Sequence, residues 1–173
     1  AEQNTFYASF DRIAPAQNKY MACLFNTSTT RKAVIQKVIW LTNAFTVVTA
    51  VVHDMYLARI TARTAGTAVT IRSRDSADTL SAGIAADTAP TSVTEAYIMQ
   101  RYVGSTEESV IAVTSLPTYM GSLGGPGVVL YARLPNTKGE TLRANQGLAI
   151  RTLTASTVGV MSFLIEFTDE AAA

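Results

Sequence analysis

The chain is expected to be all-β, an antiparallel sandwich or barrel of roughly eight to ten short strands. Two observations carry that expectation. Runs rich in Val, Ile, Thr and Tyr recur along the whole sequence, and clusters of Gly, Pro, Asn, Asp, Ser and Thr separate them. No stretch joins a strong helical period to helix start and stop signals. At 173 residues the chain suits one domain with a core large enough to fold without staples. Residues 1–10 read as an N-terminal arm or strand, and 11–173 as a single sandwich domain.

In order, residues 5–10 carry aromatic bulk in Phe6, Tyr7 and Phe10, and 11–18, with Pro15, form the first connection. Residues 19–25 read as a buried strand closed by the polar turn 26–30. In 31–41, Val34, Ile35, Val38 and Ile39 fall at helical spacing. The density of β-branched residues, Trp40 and the lack of a Gly stop favour a strand instead. Residues 45–52 and 55–63 read as two paired strands with His53 and Asp54 at the turn between them, and 67–73 as another strand. From 74 to 91 the composition shifts to Ser, Ala, Asp, Thr and Gly, which predicts one long loop, with a short helix over 80–86 as the alternative. A loop of that length suggests function or an arm reaching a neighbour. Strands follow over 92–103, 110–114 and 128–134, with a turn at 135–139. Residues 147–153 and 158–167 close the domain, and Phe163, Ile165 and Phe167 face one way in the last of these.

The composition says more about surroundings than about chemistry. Hydrophobic residues make up 48% and charged residues 16%, where a globular chain carries about a quarter charged. That deficit suggests that other subunits cover part of the surface. A net charge of +1 argues against direct nucleic-acid binding, which needs several cations on one face. The densest basic group, Arg31, Lys32 and Lys37, reads as a solvated strand edge. The uncharged stretch 38–53 is shorter than the roughly 20 residues of a spanning helix, so no membrane partner is expected. The start Ala1-Glu2-Gln3 fits removal of an initiator Met or of a signal, and leaves the compartment open.

Catalysis has little to work with. The one cysteine, Cys23, sits in an apolar run as a small hydrophobe, and the one histidine, His53, has only the adjacent Asp54 nearby in sequence. No nucleophile elbow and no zinc spacing occurs. Most of the thirteen acids fall in predicted turns or at the ends. The segment 121–127 is rich in Gly but leads into a strand and lacks the Lys-Ser/Thr of a phosphate loop. No enzyme activity, cofactor or metal is expected. The residues expected to make contacts are Phe6, Tyr7 and Phe10 in the arm, and Leu116, Tyr119, Met120 and Leu123 in an uncharged loop.

Two blocks resemble virion proteins of tailed bacteriophages. One is Lys19 to Asn26 running through Thr27-Ser28-Thr29-Thr30 into residues 31–39. The other is Leu142-Arg143-Ala144-Asn145-Gln146-Gly147-Leu148-Ala149-Ile150, followed by Gly159 to Phe167. These strand–turn–strand blocks are similar to those of jelly-roll head decoration (cement) proteins and cover about a third of the chain. The resemblance implies a jelly-roll-like sandwich that forms homo-oligomers, typically trimers, on the capsid surface of the virion. Its partner there is the major capsid protein, and binding only the assembled shell would stabilise it. A receptor- or glycan-binding module of a fibre or adhesin, or a shell-forming jelly roll, are the alternatives.

Overall fold

The computed structural model describes residues 4–42, 51–106, 128–155 and 160–172, and none of these is helical. Twelve strands occur among them. They are β1 (Thr5–Ile13), β2 (Tyr20–Asn26), β3 (Arg31–Thr42), β4 (Val51–Thr64), β5 (Thr67–Val69) and β6 (Ile71–Ser73). The second half of the chain adds β7 (Ile84–Thr88), β8 (Thr91–Thr106), β9 (Val128–Ala132), β10 (Thr141–Leu142), β11 (Gln146–Thr152) and β12 (Met161–Ala171).

The strands form two six-stranded antiparallel sheets. The first runs β10-β3-β12-β1-β6, with β9 also paired to β3; the second runs β5-β7-β2-β11-β4-β8. Strands β1 to β4 alternate between the sheets, and the last two strands fill the centres, β12 between β1 and β3, β11 between β2 and β4. This winding makes the domain a β-sandwich of jelly-roll type.

Period-two alternation explains the core. On β12, Phe163, Ile165 and Phe167 are all fully buried. They pair with Phe10, Ala8 and Phe6 of β1 and with Trp40, Val38 and Ile35 of β3. The facing sheet contributes Met21, Leu24, Leu57, Leu148 and Ile150 to the same cluster. Burying side chains of this size stabilises by about 1.5–3 kcal/mol each, so this slab dominates the fold.

Several expectations change at this level. Of the two readings of residues 5–10, arm and strand, the structure takes the strand: β1 lies inside the first sheet, hydrogen-bonded to β12 and β6. His53 and Asp54 are not at a turn but within β4. There the sheet and its surroundings absorb their polarity: Thr154 Oγ1 accepts from the Asp54 amide at 2.7 Å, and Leu153 N donates to Asp54 O. Residues 67–73 break at Thr70, so that β5 joins one sheet and β6 the other. The loop begun at residue 74 ends early, because Ile84–Thr88 forms β7 against β2 and β5. Its first half is tied inward, with Arg74 Nη2 2.6 Å from Glu166 Oε2 and Ser81 N donating to Asp169 Oδ2 at 3.0 Å. Lys37 does not lie on an edge, since β3 has β12 on one side and β9 on the other there, whereas Arg31 and Lys32 pair only with β12 among the described strands. The strands expected over 45–52 and 110–114 fall almost wholly outside the described residues.

Candidate functional site

β8 and β9 close the same side of the sandwich, each at the margin of its own sheet. β8 has β4 as its only ladder partner among the described residues, and β9 has only β3. The Tyr102 hydroxyl of β8 donates to the Leu130 carbonyl of β9 and joins the two margins. Burial pushes that phenol up to about 12, so it stays a donor.

This side holds every large apolar side chain that stands exposed among the described residues. Tyr97, Ile98 and Val103 lie on β8, Val129 on β9, and Leu134 just beyond it; Val103 and Leu134 are 68% and 66% exposed. Single exposed apolar residues are ordinary. Five on one side, beside a sixteen-residue strand whose only ladder partner among the described residues is β4, are not.

A polar and aromatic clamp shapes β8. In register across four strands stand Tyr20 of β2, Arg151 of β11, Tyr56 of β4 and Arg101 of β8. Arg151 lies 5.1 Å from the Tyr20 ring centroid, and Arg101 lies 5.6 Å from that of Tyr56. Glu95 Oε1 accepts from Tyr20 Oη at 2.5 Å and Tyr56 Oη at 2.8 Å, with Arg151 Nη1 at 3.4 Å. In a flat sheet β8 and β2 would stand about 14 Å apart. Four register shifts along β8 coil it toward β2 and let Glu95 reach that far. Burial, and then the hydrogen bond to Glu95, raise the Tyr20 and Tyr56 phenols. Both therefore remain protonated donors, and a carboxylate holding two phenols and a guanidinium is a fastener rather than a base.

The residues expected to make contacts fare unevenly. Phe6 and Phe10 are 1% and 0% exposed, so they are core side chains and offer nothing to a partner. Tyr7 points to the opposite face of β1, under the Arg74 guanidinium at 4.5 Å. Leu116, Tyr119, Met120 and Leu123 lie outside the described residues. The exposed apolar residues of β8 and β9 escaped notice because each looks like an ordinary strand residue. Only knowledge that both strands are marginal marks them.

Cys23 and His53 lie on opposite faces of the second sheet. Cys23 packs with Phe25, Ile60 and Ala149 in a small outer cluster, and burial pushes its thiol up to about 12. His53 lies in the interior edge-on to Trp40, with centroids 6.4 Å apart, and burial lowers its pKa. Beside the Cys23 cluster, Arg63 and Asp87 form an ion pair at 2.7 Å with side chains 8% and 3% exposed. Among the described residues no group of three His, Cys, Asp or Glu side chains could hold a metal ion. Compared with protein-family models, with curated proteins and with solved structures, the chain matches none.

Proposed function

We propose that the protein is a non-enzymatic structural component that acts through subunit interfaces, with the β8–β9 side as its principal contact surface. One observation carries this reading: among the described residues, all five exposed large apolar side chains lie on that side, next to a strand margin that no described strand pairs. Burying such a surface against a second copy both removes apolar area from water and protects the edge. The low charge fraction of the whole chain supports it.

The occupant we favour is another copy of the chain. A margin of this kind differs from the other surfaces of the sandwich, so contact with a different patch on the next copy is head-to-tail, and three copies can close a ring. The jelly-roll winding, together with the resemblance in residues 19–39, 142–150 and 159–167, favours a capsid decoration protein on a virion surface. Such a trimer would clamp the major capsid protein. The test is attachment. Wild-type protein should co-sediment with intact particles, and Val103→Glu together with Leu134→Glu should abolish both trimer formation and attachment. Attachment that survives both charges refutes the placement of the interface.

A further inference from the structure

On the outer face of the first sheet the chain makes a short excursion with a cavity beneath it. β9 and β10 lie end to end along β3, and Arg133 N to Gln36 O and Ile35 N to Glu140 O, both 2.8 Å, close the ladder on either side of the gap. The residues between them arch away from the sheet. Leu134 O accepts from Thr137 Oγ1 at 2.7 Å, and Asn136 takes the left-handed φ of 62° that Asn tolerates. Under the arch lies a cavity of about 110 Å³, lined by Lys32, Arg133, Lys138, Arg143 and Glu170 over a floor of Val34.

The charge of this lining is its distinguishing property. Four of the chain's fourteen Lys and Arg side chains meet one carboxylate in a single small cavity, while the whole chain carries only +1. Lys32 Nζ stands 3.5 Å from Glu170 Oε2. No carboxylate pairs with Arg133 or Lys138 among the described residues. Gly139 packs closely against the cavity wall: a Cβ there would meet Arg133 Cδ at 3.0 Å and Val34 Cγ1 at 3.1 Å. Any side chain there would crowd the cavity wall. Cations gathered in a concave site with a low-dielectric wall focus a positive potential that favours an anion.

We infer that this cavity is a binding site for a tetrahedral oxyanion, a phosphate or sulfate group. The volume equals that of roughly three or four waters, enough for such a group. It is far below the roughly 300–1,000 Å³ of sites that enclose drug-sized ligands, so a sugar ring or base would remain outside. Two guanidiniums and two ammoniums suit a multiply charged tetrahedral group better than a single carboxylate. The site shares the first sheet with β9, and its arch carries Leu134, but its lining includes none of the five exposed apolar residues of the β8–β9 side.

The test titrates the full chain at constant ionic strength with inorganic phosphate, sulfate and acetate, following thermal unfolding. Phosphate or sulfate should raise the midpoint saturably and acetate should not. Phenyl phosphate and phenyl sulfate then separate sources: binding of the esters identifies a terminal group on a larger molecule, and binding of the inorganic ions alone identifies a free ion. Lys138→Gln with Arg143→Gln should weaken the apparent affinity about tenfold or more. Both residues are exposed, so the ligand-free midpoint should stay close to wild type. Lys138→Gln alone should act in the same direction with a smaller factor. Absence of saturation with both inorganic ions, an equal response to acetate, or unchanged binding in the double variant would overturn the inference. So would binding of duplex DNA without binding of either ion.

Discussion

Replacing Phe10 with alanine tests whether the N-terminal segment is core or contact surface. The side chain is fully buried, opposite Phe163 in the ladder between β1 and β12. Truncating a buried Phe costs about 3–5 kcal/mol, the transfer term plus the cavity left behind. With a urea slope of about 2 kcal/mol/M, the unfolding midpoint should fall by about 2 M. A domain in the upper part of the usual range of about 5–15 kcal/mol survives that loss, weakened but folded. Tyr7→Ala, one face over, removes mainly the contact with Arg74, worth about 0.5–1 kcal/mol at an exposed site, and should move the midpoint several-fold less. Removing residues 1–10 deletes both phenylalanines and the ladders to β12 and β6, and should leave no cooperative transition. Equilibrium urea unfolding followed by tryptophan fluorescence and circular dichroism reads all three. If Phe10→Ala shifts the midpoint by less than about 0.3 M, or the truncated chain still unfolds cooperatively, β1 is not the core strand described here.

Three further outcomes are expected. Arg63→Met or Asp87→Leu alone should each destabilise by about 3–5 kcal/mol, because each leaves a buried charge unpaired, while the double replacement should recover most of the loss; a denaturation double-mutant cycle decides. Cys23, buried with its thiol raised to about 12, should react with a disulfide reagent only as fast as the domain opens, so a native-state rate far above the opening rate contradicts its burial. His53 has a folded pKa below its unfolded value near 6.5, so the unfolded chain binds the proton more readily. Its contribution is complete above that pH and falls as pH drops toward the lowered folded value. Thermal midpoints from pH 8 to 5 should therefore fall more steeply for wild type than for His53→Gln, and parallel curves would exclude the effect.

The parts of the fold that local pattern controls were legible in the sequence. Phe163, Ile165 and Phe167 alternate cleanly, and their inward position on β12 follows from that period. The density of β-branched residues in β3 outweighed its helical spacing, and the strand is present. Phe6, Ala8 and Phe10 share the same inward period, but Tyr7 between them made the run look uniformly aromatic, and an arm and a strand read alike. β7 was missed because Ala85, Ala86 and Asp87 carry little strand signal; its place between β2 and β5 supplies the stability. His53 and Asp54 read as a turn because polar pairs usually are one, yet burial against Trp40 and a bond from Asp54 to Thr154 hold them in β4. Neither site could be read locally. The apolar residues of β8 and β9 matter only because both strands are marginal, and the cations of the cavity come from Lys32 and from residues a hundred positions later, which register alone brings together.

The most direct check of an interface-driven role is the molar mass of the purified chain by light scattering across a wide concentration range. A trimer, about three times the 18.5 kDa of one chain, that Val103→Glu with Leu134→Glu reduces to single folded chains is the predicted result. Wild-type protein that stays at the mass of one chain throughout the range would contradict the account.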